Sequence, residues 1–458
     1  MNRLSILGRV VGGLALVVAA AAATAGAVLD PVTAFVALIV VVAVLLLFMP
    51  DIAAVLAVAL LPFPSSLPIG SPVELSATDA LIVLALAGWL VQAVLRPATD
   101  SRTSVLRPLR VPLVAYGAAM LLSIAVHPSI PAAVTALQRV ELVIGGLLLG
   151  AGLIRTGRLR LSLELYLVAA SLLAAAAILQ TGAEEFVGVQ KNPAGGFISA
   201  ALFIAILVKP SPRWILYAPI LAVGLLATQS RGALLASLIA AAAAVVVIRL
   251  RDRIRLLVGL VGVGVLLFVG YSYLPAIDRA RLFRFSGAED YAVLYRTEFQ
   301  ADAMDRFRSA PWTGVGVGNY TGGIRLPGIT DPHQVLIFQL AEGGVPLLLA
   351  FLALAIGGAA VVLPHSRSSP LALAALTIQV ATVVHALVDI YWVRGTPIPA
   401  WLLIGATLAA TVLTARGDPL GLEWIPQKSS PARHRRTRAR NVNAVEPMPT
   451  APAGSSVA

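Results

Sequence analysis

Cysteine is absent from this 458-residue chain, and charged side chains make up only 12% of it. The missing cysteine excludes disulfides and thiolate metal sites. Walker-type phosphate loops are also absent, so ATP use is not expected. Lysine is scarce, with three among 34 basic residues, which indicates GC-rich coding and hints at a bacterial source.

Apolar residues dominate the rest of the sequence. The hydrophobic fraction is 59% and the mean hydropathy is +0.90. Apolar runs of about 20 residues recur along the chain, and the strict alternation of a membrane β-barrel is missing. The sequence therefore predicts an all-α polytopic membrane protein with about 12–14 transmembrane helices. One large extracytoplasmic loop precedes a helix that begins at a histidine.

Arginine-rich connections fix the predicted orientation. With a cytoplasmic N-terminus, the arginine-rich loops fall on the inner side, as the positive-inside rule requires. Residues 1–27 have the pattern of a signal peptide, but we expect them to form a retained first helix, and cleavage would leave the later topology unchanged. The segments then predicted outside are 65–79, 127–138, 182–194, 229–232, 275–333 and 390–398.

The same pattern divides the chain into five parts. They are N-terminal transmembrane helices (1–190), transmembrane helices with an outer arginine motif (191–274), the large outer loop (275–333), C-terminal transmembrane helices (334–414) and a basic tail (415–458). The tail is rich in proline and serine, so it is expected to be disordered. Its arginines favour anionic lipid headgroups as partners over nucleic acid.

The segment 275–333 is the only long polar stretch within the apolar part of the chain. It contains a predicted helix at 291–310, with Arg296 inside the apolar stripe of that helix. It ends at His333, where a long hydrophobic helix begins, and we interpret His333 as a functional residue. The alternatives are an interfacial helix with snorkelling arginines and an ordinary surface histidine. The glycine-rich stretch 314–320 lacks the strand and helix of a nucleotide-binding unit and is predicted to be a backbone turn.

A second candidate lies in the short outer connection 229–232. Ser230 is predicted to cap a helix that starts at Ala233, so the N–H groups of that helix point outward beside Arg231. Such a helix start suits a phosphate or diphosphate. The alternative is an arginine that snorkels to the membrane interface.

Three further ionisable residues lie in or near the C-terminal spans. Pro346 is predicted to break the helix that begins after His333. Glu342 is nine residues from His333, on the opposite side of a straight helix, so we interpret it as a buried structural acid. His385 and Asp389 share one helix face near the outer end of the next span and are candidates to support the same site.

These residues resemble a known family, the O-antigen ligase and O-antigen polymerase superfamily of bacterial envelope enzymes. The resemblance covers roughly residues 190–410, and its motifs are residues 229–235, Arg296 with residues 311–320, and His333 with residues 342–344. Gln334 departs from the asparagine that commonly follows the histidine, and Lys191 and Asn192 only partly match an Asn-Pro segment of the family.

The resemblance implies an enzyme without cofactor or metal in the cytoplasmic membrane, with its active site facing outward. It would transfer a glycan with inversion from a polyprenyl diphosphate to a hydroxyl of a lipid, glycan or protein acceptor. His333 would act as the general base, Arg231 and Arg296 would bind the diphosphate, and Lys191 and Asn192 would support them.

Two other functions remain open. A flippase or exporter of lipid-linked glycans would use the same arginines only to hold the diphosphate. A metal-dependent lipid-phosphate-sugar transferase is disfavoured, because the first outer loop has Asp30 alone and no pair of carboxylates.

Overall fold

The computed structural model describes residues 42–64, 66–67, 75–95, 105–248, 291–320, 332–389 and 395–424, with isolated positions between 261 and 272. Predictions that concern residues 1–41 and the basic tail beyond residue 424 lie outside the described residues. So do the parts of the large outer loop at 273–290 and 321–331, and residues 390–394.

The described residues are almost entirely helical. In chain order the helices are α1 (Val42–Phe48), α2 (Pro50–Leu60), α3 (Ala77–Leu95), α4 (Arg110–Val126), α5 (Ile130–Val140), α6 (Gly146–Arg155), α7 (Leu159–Leu179), α8 (Lys191–Phe203), α9 (Trp214–Ala227), α10 (Arg231–Val247), α11 (Tyr291–Ser309), α12 (Val335–Ser366), α13 (Pro370–Ala386), α14 (Ile398–Ala415) and α15 (Pro419–Leu422). Two antiparallel pairs of two-residue strands are present as well, namely β1 (Ser66–Leu67) with β2 (Leu75–Ser76) and β3 (Glu185–Phe186) with β4 (Val189–Gln190).

Seven helical stretches among the described residues are long and apolar enough to cross a membrane. The bent pair α1 and α2, which turns by 113°, makes an eighth if it is a single span, and α9, α10 and α13 are shorter apolar helices. The predicted class, an all-α polytopic membrane protein, is confirmed. The prediction of about 12–14 spans refers to the whole chain, of which this is only a part.

The prediction that residues 127–138 form a loop between two spans is wrong, because α5 occupies most of this segment. Ser129 caps this helix by accepting the N–H of Ala132 at 3.1 Å, and Pro131 stands in its first turn. A π-helical turn, Glu141–Gly145, joins α5 to α6. Arg139, which directly follows this predicted loop, is buried inside the protein.

Small residues set the spacing of the helices in the core. At Gly150 on α6 and Gly405 on α14, a Cβ atom would collide with the backbone of the facing helix. Such close approach of backbones is typical of helix pairs in membranes. The core formed in this way holds the helices that carry the candidate site.

Helix α12 has 32 residues, about 48 Å, whereas a bilayer core needs about 30 Å. The break predicted near Pro346 is confirmed: Gly344 has φ 65° and ψ −162°, which are not helical. The side chain of Gln379 on α13 donates to the carbonyl of Ala355 at 3.1 Å and fixes the register of the two helices. A straight α12 would project about 20 Å past the end of α13. The break therefore lets the start of α12 stay close to that end.

Candidate active site

His333 lies two residues before the start of α12. The next residue, Gln334, caps the helix by accepting the N–H of Ile337 at 2.7 Å, so glutamine performs a capping role here. His333 itself has φ 55°, a left-handed conformation that is uncommon for a bulky residue. A residue is held in this conformation only when its surroundings fix it, and such strain concentrates at functional sites.

Asp389 supplies one of these fixing contacts. It lies three residues beyond the end of α13 and is only 4% exposed. Its Oδ1 atom is 3.0 Å from Nδ1 of His333. The structure thus joins two predicted site residues that are 56 positions apart in the sequence.

The same carboxylate also faces a cation. Nη2 of Arg296 is 3.7 Å from Oδ2 of Asp389. Burial alone would raise the pKa of the Asp389 carboxyl, but the hydrogen bond with His333 and the charge of Arg296 outweigh it. The pKa of Asp389 therefore lies below its ordinary value of 3.8, and the group is ionised at neutral pH.

Arg296 is carried by α11, whose bounds agree with the predicted helix to within one residue at its end. Its side chain is 36% exposed, so the guanidinium contacts the buried carboxylate and keeps access to a ligand. One turn later, Gln300 donates to the carbonyl of Pro332 at 3.4 Å. This contact holds the chain that leads into His333 against the helix that carries Arg296.

The start of α10 lies beside this group. Ser230 accepts the N–H of Ala233 at 3.3 Å, as predicted, although the helix begins at Arg231. Gly232 packs against His385, because a Cβ atom at this glycine would lie 2.9 Å from Cδ2 of the imidazole. The N-terminus of α10, with Arg231, is therefore next to the turn of α13 that leads to Asp389.

His385 itself is buried inside the protein, with 1% of its surface exposed. It lies one helical turn before Asp389. Its contact with Gly232 links α13 to α10 at this end of the bundle. His385 thus lies beside the start of α10, whereas the Asp389 carboxylate faces His333 and Arg296.

Lys191 and Asn192 occupy the first turn of α8. Nζ of Lys191 is 2.6 Å from a carboxylate oxygen of Glu184, an exposed pair. Four residues after Lys191, Gly195 packs on Ser230, with a Cβ position 3.0 Å from that of the serine. The start of α8 therefore adjoins the start of α10. The ammonium group of Lys191, however, is paired with the carboxylate of Glu184.

Glu342 lies in another environment. Its carboxylate forms a buried ion pair with Arg139 of α5, and Oε1 accepts the N–H of Gly318 at 2.9 Å. Sequence reasoning missed Arg139. The signal was present, because opposite charges that are isolated in apolar spans tend to pair with each other.

The glycine-rich turn binds to the break in α12. Val315 donates to the carbonyl of Ala341 at 2.8 Å, and Val345 donates to the carbonyl of Pro311 at 2.9 Å. A Cβ atom at Gly344 would collide with the backbone of this turn, which explains a glycine with positive φ at that position. The predicted backbone turn is confirmed, and its role is to fasten α11 to α12.

Residues 216–352 match the family model described as O-antigen ligase. The matched segment includes Arg231, Arg296, His333 and Glu342, whereas His385 and Asp389 lie beyond it. A search of curated proteins gave no match. The chain is a polytopic membrane protein in which this segment is similar to the O-antigen ligase family. This family is associated with glycosyl transfer of the O-antigen ligase or polymerase type.

Proposed function

We propose that the protein transfers a glycan from a polyprenyl diphosphate to an acceptor hydroxyl at the outer face of the cytoplasmic membrane, with inversion and without a metal ion. The acceptor would be a lipid, a glycan or a protein, so the activity is that of a ligase or a polymerase. The observation that carries this proposal is the Asp389 carboxylate, which faces both the His333 imidazole and the Arg296 guanidinium.

His333 is the proposed general base. When Nδ1–H donates to the ionised Asp389, the lone pair of Nε2 is available to take a proton. The acceptor oxygen attacks the anomeric carbon and loses its proton to Nε2, and the bond from that carbon to the diphosphate oxygen breaks. Asp389 fixes the ring and its tautomer and stabilises the imidazolium that forms, as the acid does in other histidine-carboxylate pairs.

Arg231 and Arg296 are the proposed diphosphate ligands. Negative charge grows on the diphosphate as it leaves, and cations fixed beforehand at that place stabilise the transition state. Arg296 is partly exposed beside the His333–Asp389 pair, and Arg231 opens α10, whose N-terminal N–H groups favour an anion. The residues that bind the leaving diphosphate and the residue that acts as the base would therefore lie on adjacent elements.

The distribution of charge supports an outward orientation. The starts of α8 and α10 are adjacent at the end of the bundle that carries the site. At the other end of α8 the chain continues to Lys209 and Arg213. Basic connections tend to remain in the cytoplasm, so the opposite end, with His333, faces outward.

The proposal is tested in reconstituted vesicles. Polyprenyl-diphosphate oligosaccharide, candidate acceptors and EDTA are added to the wild type and to His333→Ala at matched insertion. His365→Ala is the matched control, because it changes a histidine at the opposite end of α12. We expect release of polyprenyl diphosphate that survives EDTA, persists in His365→Ala and collapses in His333→Ala. Elongated donor would indicate a polymerase, and modified acceptor a ligase.

Two results would contradict the proposal. Loss of transfer in EDTA, restored by a divalent cation, would remove the metal-independent mechanism. Movement of labelled donor across the bilayer without glycan transfer, equal in the wild type and in His333→Ala, would replace the enzyme by a flippase.

A further inference from the structure

A buried ion pair lies behind the candidate active site. The guanidinium of Arg139 contacts the carboxylate of Glu342, and the two side chains are 5% and 1% exposed. The guanidinium also lies 5.2 Å above the ring of Phe338. Ionised side chains within spans are costly and are usually tied to function, and a buried pair is a weak source of stability.

Glu342 uses its remaining acceptors to hold the glycine-rich turn. Besides Oε1, which accepts from Gly318, its carbonyl oxygen accepts the N–H of Gly316 at 2.9 Å and the hydroxyl of Ser123 at 3.1 Å. The Ser123 hydroxyl in turn accepts the N–H of Val317 at 2.9 Å. The turn is thus fixed at successive residues to the break in α12 and to α4.

The turn then reaches the helix that carries Arg296. The hydroxyl of Tyr320 donates to the carbonyl of Phe299 at 3.2 Å, and its ring meets the edge of Phe338 with centroids 6.0 Å apart. Phe299 follows Arg296 by three residues and is therefore almost one turn further along α11. A continuous set of contacts leads from Arg139 through Glu342 and Tyr320 to the backbone beside Arg296.

We propose that Arg139 and Glu342 are positioning residues for the guanidinium of Arg296. The pair fixes the glycine-rich turn, and the turn fixes the rotation and height of α11. This inference rests on the proposed function, in which Arg296 binds the diphosphate of the donor. Weakening the pair should therefore lower kcat/KM for the donor and leave acceptor binding intact.

A kinetic cycle tests this assignment in vesicles. The Glu342→Gln substitution is introduced into the wild type and into Arg296→Lys, and each product is compared with the protein from which it was made. Glu164→Gln, which changes one partner of an exposed ion pair, is the control. We expect Glu342→Gln to lower kcat/KM for the donor about tenfold, with the acceptor KM within about twofold. In Arg296→Lys, the same change should alter kcat/KM for the donor less than about twofold, because coupled residues are not additive.

Two variants keep the test decisive. Should Glu342→Gln fail to fold because Arg139 loses its partner, the uncharged pair Arg139→Gln/Glu342→Gln replaces it and should lower kcat/KM for the donor in the same way. Tyr320→Phe removes only the hydroxyl that contacts Phe299 and should produce a smaller fall of the same kind. An equal fall in both Arg296 backgrounds, or a rise in the acceptor KM alone, would overturn the assignment.

A measurement without substrate separates this inference from the proposed function. The chain has no cysteine, so spin labels at Leu137→Cys on α5 and Ala301→Cys on α11, both exposed, report the distance between these helices. We expect one narrow distribution in the wild type and in Glu164→Gln, and a broad one in Glu342→Gln. If the distance distribution broadens in Glu342→Gln but the wild type transfers no glycan, the proposed function is refuted, while the restraint of α11 by Arg139 and Glu342 is supported. An unchanged distribution would refute the restraint.

Discussion

Two groups of charges lie near the start of α12, and they differ in how completely they are enclosed. Arg139 and Glu342 are both buried, and Glu342 also receives hydrogen bonds from the chain around it. In the group of His333, Asp389 and Arg296, only the carboxylate is buried, while the imidazole and the guanidinium are 17% and 36% exposed. An enclosed pair can only hold structure, whereas a buried anion that orients two accessible groups leaves those groups able to act on a ligand.

The largest effect is expected from His333→Ala. Loss of the proposed base should lower kcat by about a thousandfold, since general bases contribute on the order of 10²- to 10⁴-fold. The donor KM should change little, because the arginines remain. Initial rates of polyprenyl diphosphate release would measure this loss. If His333→Ala kept more than half of the wild-type rate, the accessible group of charges would have no more catalytic importance than the enclosed pair.

Arg296→Ala should follow, with a loss of about a hundredfold or more in kcat/KM, because a fixed charge near the leaving group disappears. Arg308→Ala is the matched control, since Arg308 lies on the same helix in an exposed pair with Asp305. Exposed pairs of this kind contribute little, roughly 0–1 kcal/mol. Equal losses in the two variants would show that the activity depends on the net charge of α11 and not on the position of Arg296.

Asp389→Asn should lower kcat by about a hundredfold, because an amide does not hold the imidazole tautomer as a carboxylate does. The size and burial of the side chain are kept. The variant should still bind donor, which equilibrium binding of a labelled polyprenyl diphosphate would show. A normal kcat in Asp389→Asn would mean that the contact with His333 is structural, like that of Glu342 with Arg139.

Gly232→Ala is expected to lower kcat/KM about tenfold, since a small displacement at a site is costly. The added Cβ would lie 2.9 Å from the ring of His385 and would push α10 away from α13. Gly117→Ala on α4 is the control, because a Cβ atom there meets nothing within 4 Å. Wild-type kinetics in Gly232→Ala would show that the spacing of α10 and α13 is not important.

The smallest effect concerns pH. The pKa of Asp389 is below 3.8 in the folded protein, so its stabilising contribution is present above that pH and is lost as the pH falls through the lower folded value. The difference in thermal stability between the wild type and Asp389→Asn should be constant from about pH 7 to pH 5 and shrink below about pH 4. Melting curves in detergent would measure it, and a decline beginning near pH 6 would contradict the depressed pKa.

The sequence was sufficient for the class of fold and for several local features, because these depend on neighbouring residues. Apolar runs predicted the helices, Ser230 predicted a cap, and Gly343, Gly344 and Pro346 predicted the break. The role of Arg139 was missed, because an arginine at the edge of an apolar run does not by itself indicate its partner. Its partner is 203 residues away, and only tertiary packing brings the two together.

The site shows the same limit. Sequence patterns selected His333 and Arg296, but the contact between His333 and Asp389 depends on where the break turns α12, which local signals do not specify. The replacement of asparagine by Gln334 also became clear only when its side chain was found to cap α12. Contacts between distant elements depend on tertiary packing, whereas the candidate residues themselves were recognised from local sequence patterns.

Because of the break at Gly344, the segment that carries His333 and the rest of α12 do not share one continuous helical rotation. Deleting one residue from a continuous helix rotates everything beyond it by about 100°. In the part of α12 after Gly344, such a rotation would disrupt the packing of the core. Between His333 and Gly344, the deletion would turn the imidazole away from Asp389 while the rest of the helix kept its register. The number of residues in this short segment, rather than the total length of the helix, therefore determines the direction of the His333 imidazole.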